Sequence, residues 1–225
     1  MRDVSEDEFL AKRSNDYDRW LEEGKIPYSS KVIPVNGSLS ADHWVMPSEQ
    51  VLEFLRNARS FAVADCICRA HYKRCDKPLE ICFYLNDFAD KAVAAGRARN
   101  ISLEEAAERL KSADEHGLVH TTLNRPDQYS YAICSCCPCC CHDLQLMLKF
   151  GRDDLVVQSA YRARTDANRC TDCGACVERC FFQARRMDAH RMNYDPGKCY
   201  GCGLCVSVCP EDATVMELSR QDLKN

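Results

Sequence analysis

The chain has 225 residues, and its 30 Lys and Arg against 34 Asp and Glu leave a net charge of -4, which argues against a nucleic-acid partner. Its 18 cysteines are far above ordinary usage, yet the charged start "MRDVSEDEFLAKRSNDYDRW" has no signal-peptide character. The expectation is a cytoplasmic protein whose reduced thiols serve metal or redox chemistry, and without a run of about 18 apolar residues no membrane span is expected.

Residues 1–46 read as a charged N-terminal arm in which Phe9, Leu10, Tyr17, Trp20 and Leu21 supply apolar anchors. A helix or arm folded on its own domain is the leading reading, and a partner-docking element the alternative. Within it, "KVIPVNGSLS" suggests a short extended segment. Residues 47–160 read as a mostly helical, Cys-rich domain. "PSEQVLEFLRNARSF" places Val51, Leu52, Leu55 and Phe61 at roughly helical spacing, and "PLEICFYLNDFADKAVAAG" predicts a further helix ending near Gly96. Ser102, with Glu105 three residues on, forms a capping box for "LEEAAERLKSADEH", and Gly117 supplies the stop.

Ten cysteines fall in this region: Cys66, Cys68, Cys75 and Cys82 in "DCICRAHYKRCDKPLEIC", and Cys134, Cys136, Cys137, Cys139, Cys140 and Cys141 in "CSCCPCCC". Neighbouring cysteines rarely meet disulfide geometry with each other. The leading reading is at least one further iron–sulfur cluster, with zinc in two closed four-thiol sites or metal-free thiols as alternatives. Neither a C-x-C pair nor adjacent cysteines wrap a cube easily alone, so the two groups are expected to converge, with Cys66, Cys68, Cys136 and Cys137 the favoured set. Cys75, Cys82, Cys134, Cys139, Cys140 and Cys141 are further candidates. Arg69 is expected to pair with a carboxylate, or else to donate to cluster sulfur. His142, directly after the block, is read as a capping or surface residue with iron ligation as the alternative. His71, His116 and His120 carry no catalytic expectation.

The last cysteines form an internal repeat, "CTDCGACVERCFFQARRMD" from Cys170 and "CYGCGLCVSVCPEDATVME" from Cys199. Each copy has the spacing C-x2-C-x2-C-x3-C, in which three thiolates on a tight loop hold one face of a [4Fe-4S] cube and the fourth crosses to the other cube. Cluster one is assigned Cys170, Cys173, Cys176 and Cys209, and cluster two Cys199, Cys202, Cys205 and Cys180. Gly174, Gly201 and Gly203 suit sharp turns that aim amides at sulfur. Phe181, Phe182 and Tyr200 are read as ordinary apolar packing, with a wall around a cluster as the alternative.

These residues resemble the bacterial two-[4Fe-4S] ferredoxin family over roughly residues 165–218, leaving 219–225 as a tail. The resemblance implies a pseudo-symmetric α+β module passing single electrons at low potential. Pro210 follows the last cysteine of the second copy, whereas Phe181 stands at the matching place in the first, which bears on the local backbone there. The order C-x-C-R, "CDKPLEIC", "EHGLVH" and the cysteine block is also similar to ferredoxin-domain proteins of anaerobic bacteria and archaea, over most of residues 47–209. That resemblance supports the domain order and an anaerobic setting, and implies no substrate.

The whole is thus expected to be α+β, a helical Cys-rich domain followed by a dicluster module. Its expected role is an electron carrier whose redox partner presents a basic patch to this acidic chain. The alternatives are a thiol or iron–sulfur reductase with its active site at the N-terminal cluster, and a cluster scaffold or redox sensor.

Overall fold

The computed structural model describes residues 4–34, 51–52, 55–126 and 128–219. Helices and strands are both well represented, and the expected mostly helical N-terminal half requires correction: it is built round a seven-stranded sheet in the order β4-β2-β3-β6-β5-β1-β7. The strands are β1 (Ser30–Ile33), β2 (Phe61–Asp65), β3 (Glu80–Leu85), β4 (Arg99–Asn100), β5 (Val119–Arg125), β6 (Gln128–Cys136) and β7 (Val156–Val157). All neighbouring pairs are antiparallel except β1 with β7.

The segment "EICFYL" explains the difference. It was expected to begin a helix but forms β3, in which Ile81 to Leu85 are all buried. Helices cover both faces of this part of the sheet. The Leu103–Glu115 helix packs Ala106 and Leu110 against Val63, Phe83, Leu85 and Ile133, while the Asn86–Ala94 helix packs Ala89 and Ala92 against Ala62, Ala64, Tyr84 and Ala132. A strand buried on both faces has a continuous apolar run and loses the alternation that would identify it. Phe83 has no exposed surface, so truncating it to Ala would cost roughly 3–5 kcal/mol. Phe61, expected on a helix with Val51 and Leu55, instead opens β2; Val51 and Leu55 are buried in the same core.

Other local signals match the structure. Ser102 caps the Leu103–Glu115 helix, its Oγ accepting from the Glu105 N–H at 3.1 Å. Gly96 and Gly117 both follow helix ends with positive φ. The extended segment forms β1, and residues 35–50, which include the rest of it and the start of the following expected helix, lie outside the described residues. Helix Glu8–Glu22 sends Leu10 and Tyr17 into a core shared with Leu144, Leu146 and Met147 of helix His142–Phe150. Helix Glu8–Glu22 is therefore folded onto the Cys-rich unit.

The C-terminal unit contains β8 (Tyr161–Thr165) paired with β11 (Thr214–Leu218), and β9 (Arg185–Asp188) paired with β10 (Arg191–Tyr194), both antiparallel. Gly174 and Gly203, at matching places in the two cysteine loops, both have φ of +80°. At Gly201, with φ of +70°, a Cβ would stand 2.1 Å from Ser159 Oγ and from the Tyr161 carbonyl oxygen, so only glycine fits.

Candidate metal centres

Two small cavities lie in the C-terminal unit. Cys170, Cys173, Cys176 and Cys209 line one, and Cys180, Cys199, Cys202 and Cys205 line the other. Each cavity is framed by three cysteines of one repeat and the fourth cysteine of the other, a donor set that fits a [4Fe-4S] cube. The Ala213 N–H donates to Cys209 Sγ at 3.2 Å, a bond of the kind that tunes a cluster.

Arg185, which the sequence did not single out, is 3% exposed and sits between the two cavities. Its guanidinium donates to Cys176 Sγ at 3.6 Å and to Thr165 Oγ1 at 2.9 Å, lies over the Tyr194 ring, and faces Cys205 electrostatically. Burial pushes the Cys205 thiol up to about 12, with Cys199 and Cys180 adding to the rise against the opposing pull of Arg185. Such thiols ionise when a metal supplies the compensating charge.

In the N-terminal unit the ten cysteines divide into two groups. Cys75, Cys137, Cys139 and Cys140 form a compact set whose sulfurs all lie within 4.8 Å of one another. Cys75 and Cys137 are 3.8 Å apart, as are Cys139 and Cys140. A tetrahedral ion with metal–sulfur bonds of about 2.3 Å spaces its sulfurs by about 3.8 Å, so these distances fit a single ion. A cube, which interposes iron and sulfide between its thiolates, needs wider spacing.

The other six form a ring. Cys66 contacts Cys68 and Cys82, Cys68 contacts Cys141, Cys82 contacts Cys134, and Cys136 closes the ring through Cys134 and Cys141. Strand register builds one side of it: the Phe83–Ile133 pairing of β3 with β6 carries Cys82 to the side of Cys134, and Cys136 shares a face with Cys134 two residues on. The other side comes from two helix starts. Cys66 and Cys141 are the N-cap residues of helices Ile67–Tyr72 and His142–Phe150, and Cys68 lies in the first turn of the former. As thiols, Cys66 and Cys136 are held below the usual range. The neighbouring thiols Cys68 and Cys82 lower Cys66, with Arg69 adding to the effect, and Cys134 and Cys141 lower Cys136.

The favoured set of Cys66, Cys68, Cys136 and Cys137 is therefore divided. Its first three members lie in the ring, and Cys137 belongs with Cys75. Of the further candidates, Cys82, Cys134 and Cys141 join the ring, and Cys139 and Cys140 join the compact set.

Arg69 spans both groups. It is 1% exposed and, in place of the expected carboxylate, donates to the Pro78 and Ser135 carbonyl oxygens and to Cys137 Sγ at 3.7 Å. Cys66 and Cys137 face it electrostatically, because a buried guanidinium among thiols is compensated by sulfur. His142 is not a surface histidine: its Nδ1 lies 3.2 Å from Cys68 Sγ, and burial lowers its pKa to about 4. His120 is held between Asp114 and Ser135, His116 bonds the Ser112 carbonyl, and His71 stacks on Phe9.

A continuous apolar cluster links the two units. Phe182 stacks on Tyr200 at 4.4 Å, and both belong to one apolar cluster with Leu204, Phe181 and Cys202 of the C-terminal unit and with Cys134, Cys136 and Cys141 of the ring. The aromatic residues thus pack ordinarily and also wall the second cavity, which Phe182 and Tyr200 line.

No helix among the described residues is long and apolar enough to cross a membrane. No curated protein matches the chain. The family profile of the 4Fe-4S dicluster domain matches residues 169–213. The C-terminal unit is accordingly a ferredoxin-type module for 4Fe-4S clusters, and the N-terminal unit carries additional metal-binding cysteines.

Proposed function

We propose that this protein relays single low-potential electrons between a redox partner and a metal centre in its own N-terminal half. The observation that carries this reading is the pair of C-terminal cavities, each framed by three cysteines of one repeat and one of the other. Cys170, Cys173, Cys176 and Cys209 would hold cluster one, and Cys199, Cys202, Cys205 and Cys180 cluster two. [4Fe-4S] clusters bound there supply reversible one-electron storage.

The order of transfer follows from exposure. Cys173, at the first cavity, is exposed, and Asp172 and Glu211 line the same cavity. Electrons would enter there from a partner with a basic patch. Cluster two lies on the inner side, where Cys202 shares an apolar cluster with the N-terminal thiol ring. Residues 165–218 are then the electron-entry module, 47–160 the receiving domain with the 1–46 arm folded on it, and 219–225 a tail.

Rapid mixing of the anaerobic protein with reduced methyl viologen tests the relay. Cys202→Ala is expected to slow reduction of the N-terminal centre about tenfold or more while cluster one still reduces. Equal rates with and without Cys202 would remove the relay.

A further inference from the structure

The ring of six thiols lies under a cavity that the relay does not explain. Cys66, Cys68, Cys82, Cys134, Cys136 and Cys141 all line it, and none of the four compact-site cysteines does. Its volume is about 270 Å³, against about 20 Å³ for each cavity framed by the ferredoxin cysteines. The void at the ring is thus much the larger, which leaves space beside a cluster held by the ring. Ligand pockets commonly begin near 300 Å³, so a small ligand suits that space.

The remaining lining gives that space a definite chemistry. Phe9, Tyr84, Phe88 and Tyr131 contribute aromatic walls, and the Arg125 guanidinium lies 5.4 Å from the Phe88 ring centroid and 5.5 Å from that of Tyr131. Arg13 donates to the Tyr131 hydroxyl and to the Tyr17 hydroxyl, each at 3.0 Å, and Tyr17 donates to Asp143 at 2.7 Å. Tyr131 accepts from Arg13, which leaves its own proton to donate. His142 lines the same cavity, and its Nε2 is buried with no hydrogen-bond partner among the described residues. An arginine and a tyrosine hydroxyl among aromatic walls suit an anionic oxygen acceptor on a flat apolar body.

We propose that the six-thiol ring holds a polynuclear iron–sulfur centre separate from a single-ion site at Cys75, Cys137, Cys139 and Cys140, and that the cavity over the ring binds a small aromatic carboxylate. This rests on the reading that the N-terminal cysteines receive electrons through a metal. It adds that they form two centres of different kind, one of which meets a ligand. The ring offers six sulfurs, more than a single ion takes, and so suits a cluster with bridging sulfide, whereas the compact set has the spacing of one ion and needs no sulfide.

The full chain, purified without oxygen, tests both halves through iron, zinc and acid-labile sulfide per chain and through benzoate binding. The paired change Cys66→Ser with Cys136→Ser is expected to lower iron and sulfide and to leave the single ion in place. Cys75→Ser with Cys139→Ser is expected to remove one metal ion and leave sulfide unchanged. Loss of the same metals and sulfide in both pairs would overturn the two-centre division. Iron and sulfide of two cubes alone in the unsubstituted chain, with no other metal, would instead remove the underlying reading.

Benzoate is expected to perturb the electron paramagnetic resonance signal that disappears with Cys66→Ser and Cys136→Ser, and to leave the ferredoxin signals unchanged. Arg13→Gln and Tyr131→Phe should each weaken binding about tenfold while keeping the iron content, so a misfolded ring is distinguishable from a lost contact. No perturbation by benzoate in a fully loaded protein would overturn the ligand site.

Discussion

Cys136 and Cys137 are joined by one peptide bond and serve different sulfur groups. Cys136 contacts Cys134 and Cys141 in the ring, while Cys137 lies 3.8 Å from Cys75 in the compact set. Cys136 ends β6, and the alternation of a strand turns the next side chain away, so "CC" at this place divides thiols between two sites. Buried between those sites, Arg69 faces both Cys66 and Cys137, as Arg185 faces Cys176 and Cys205 between the two ferredoxin cavities.

Arg69→Met should make the N-terminal sulfur sites harder to reduce, because a cation that offsets thiolate charge is gone. It should also cost about 3–5 kcal/mol of stability through the uncompensated buried charge. Redox titration and denaturant unfolding of the loaded protein check the two effects. A potential that stays constant or rises would contradict the proposed role of the arginine.

Gly201→Ala should strip cluster two. A Cβ there meets Ser159 Oγ and the Tyr161 carbonyl at 2.1 Å, and the loop between Cys199 and Cys202 has to shift. Gly24→Ala also sits at positive φ, of +64°, but with nothing within 4 Å, so it should cost only about 1 kcal/mol and leave iron unchanged. Iron analysis of the two variants side by side measures the difference.

Ser102→Ala removes the cap that accepts from the Glu105 N–H and should lower stability by about 1 kcal/mol. The capped end packs on the sheet face formed by Val63, Phe83 and Ile133, whereas Ala113, near the other end, meets the cysteines. The iron and sulfide content should therefore be unaltered, which metal analysis after unfolding measurements would check.

The parts of the molecule that were legible in the sequence are those fixed by local spacing. The repeat that begins at Cys170 and again at Cys199 is plain in the spacing and lines two cavities, and Ser102 caps where its capping box placed it. The sheet was not legible, because β3 is apolar on both faces and "EICFYL" has no alternation to separate it from a helix. The division of ten thiols into six and four was hidden for a related reason. It depends on the pairing of β3 with β6, which brings Cys82 to Cys134 across a long stretch of chain. Arg13 and Tyr131 meet in the same way, through a helix and a strand 118 residues apart.

Association with a cationic electron donor should weaken as salt rises, since the chain carries a net charge of -4 and Asp172 and Glu211 stand at the outer cluster site. Neutralising both as Asp172→Asn and Glu211→Gln should flatten that dependence. Reduction rates measured over a range of sodium chloride concentrations decide it, and a rate indifferent to salt would move the docking surface elsewhere.

Electron paramagnetic resonance of the anaerobic full chain, titrated with a limiting low-potential reductant, tests the relay most directly. The account expects paramagnetic signals beyond those of two interacting cubes, with electrons reaching the additional centre about tenfold more slowly when Cys202 is lost. Integrated spin that two cubes fully explain, unchanged by loss of the N-terminal thiols, would contradict it.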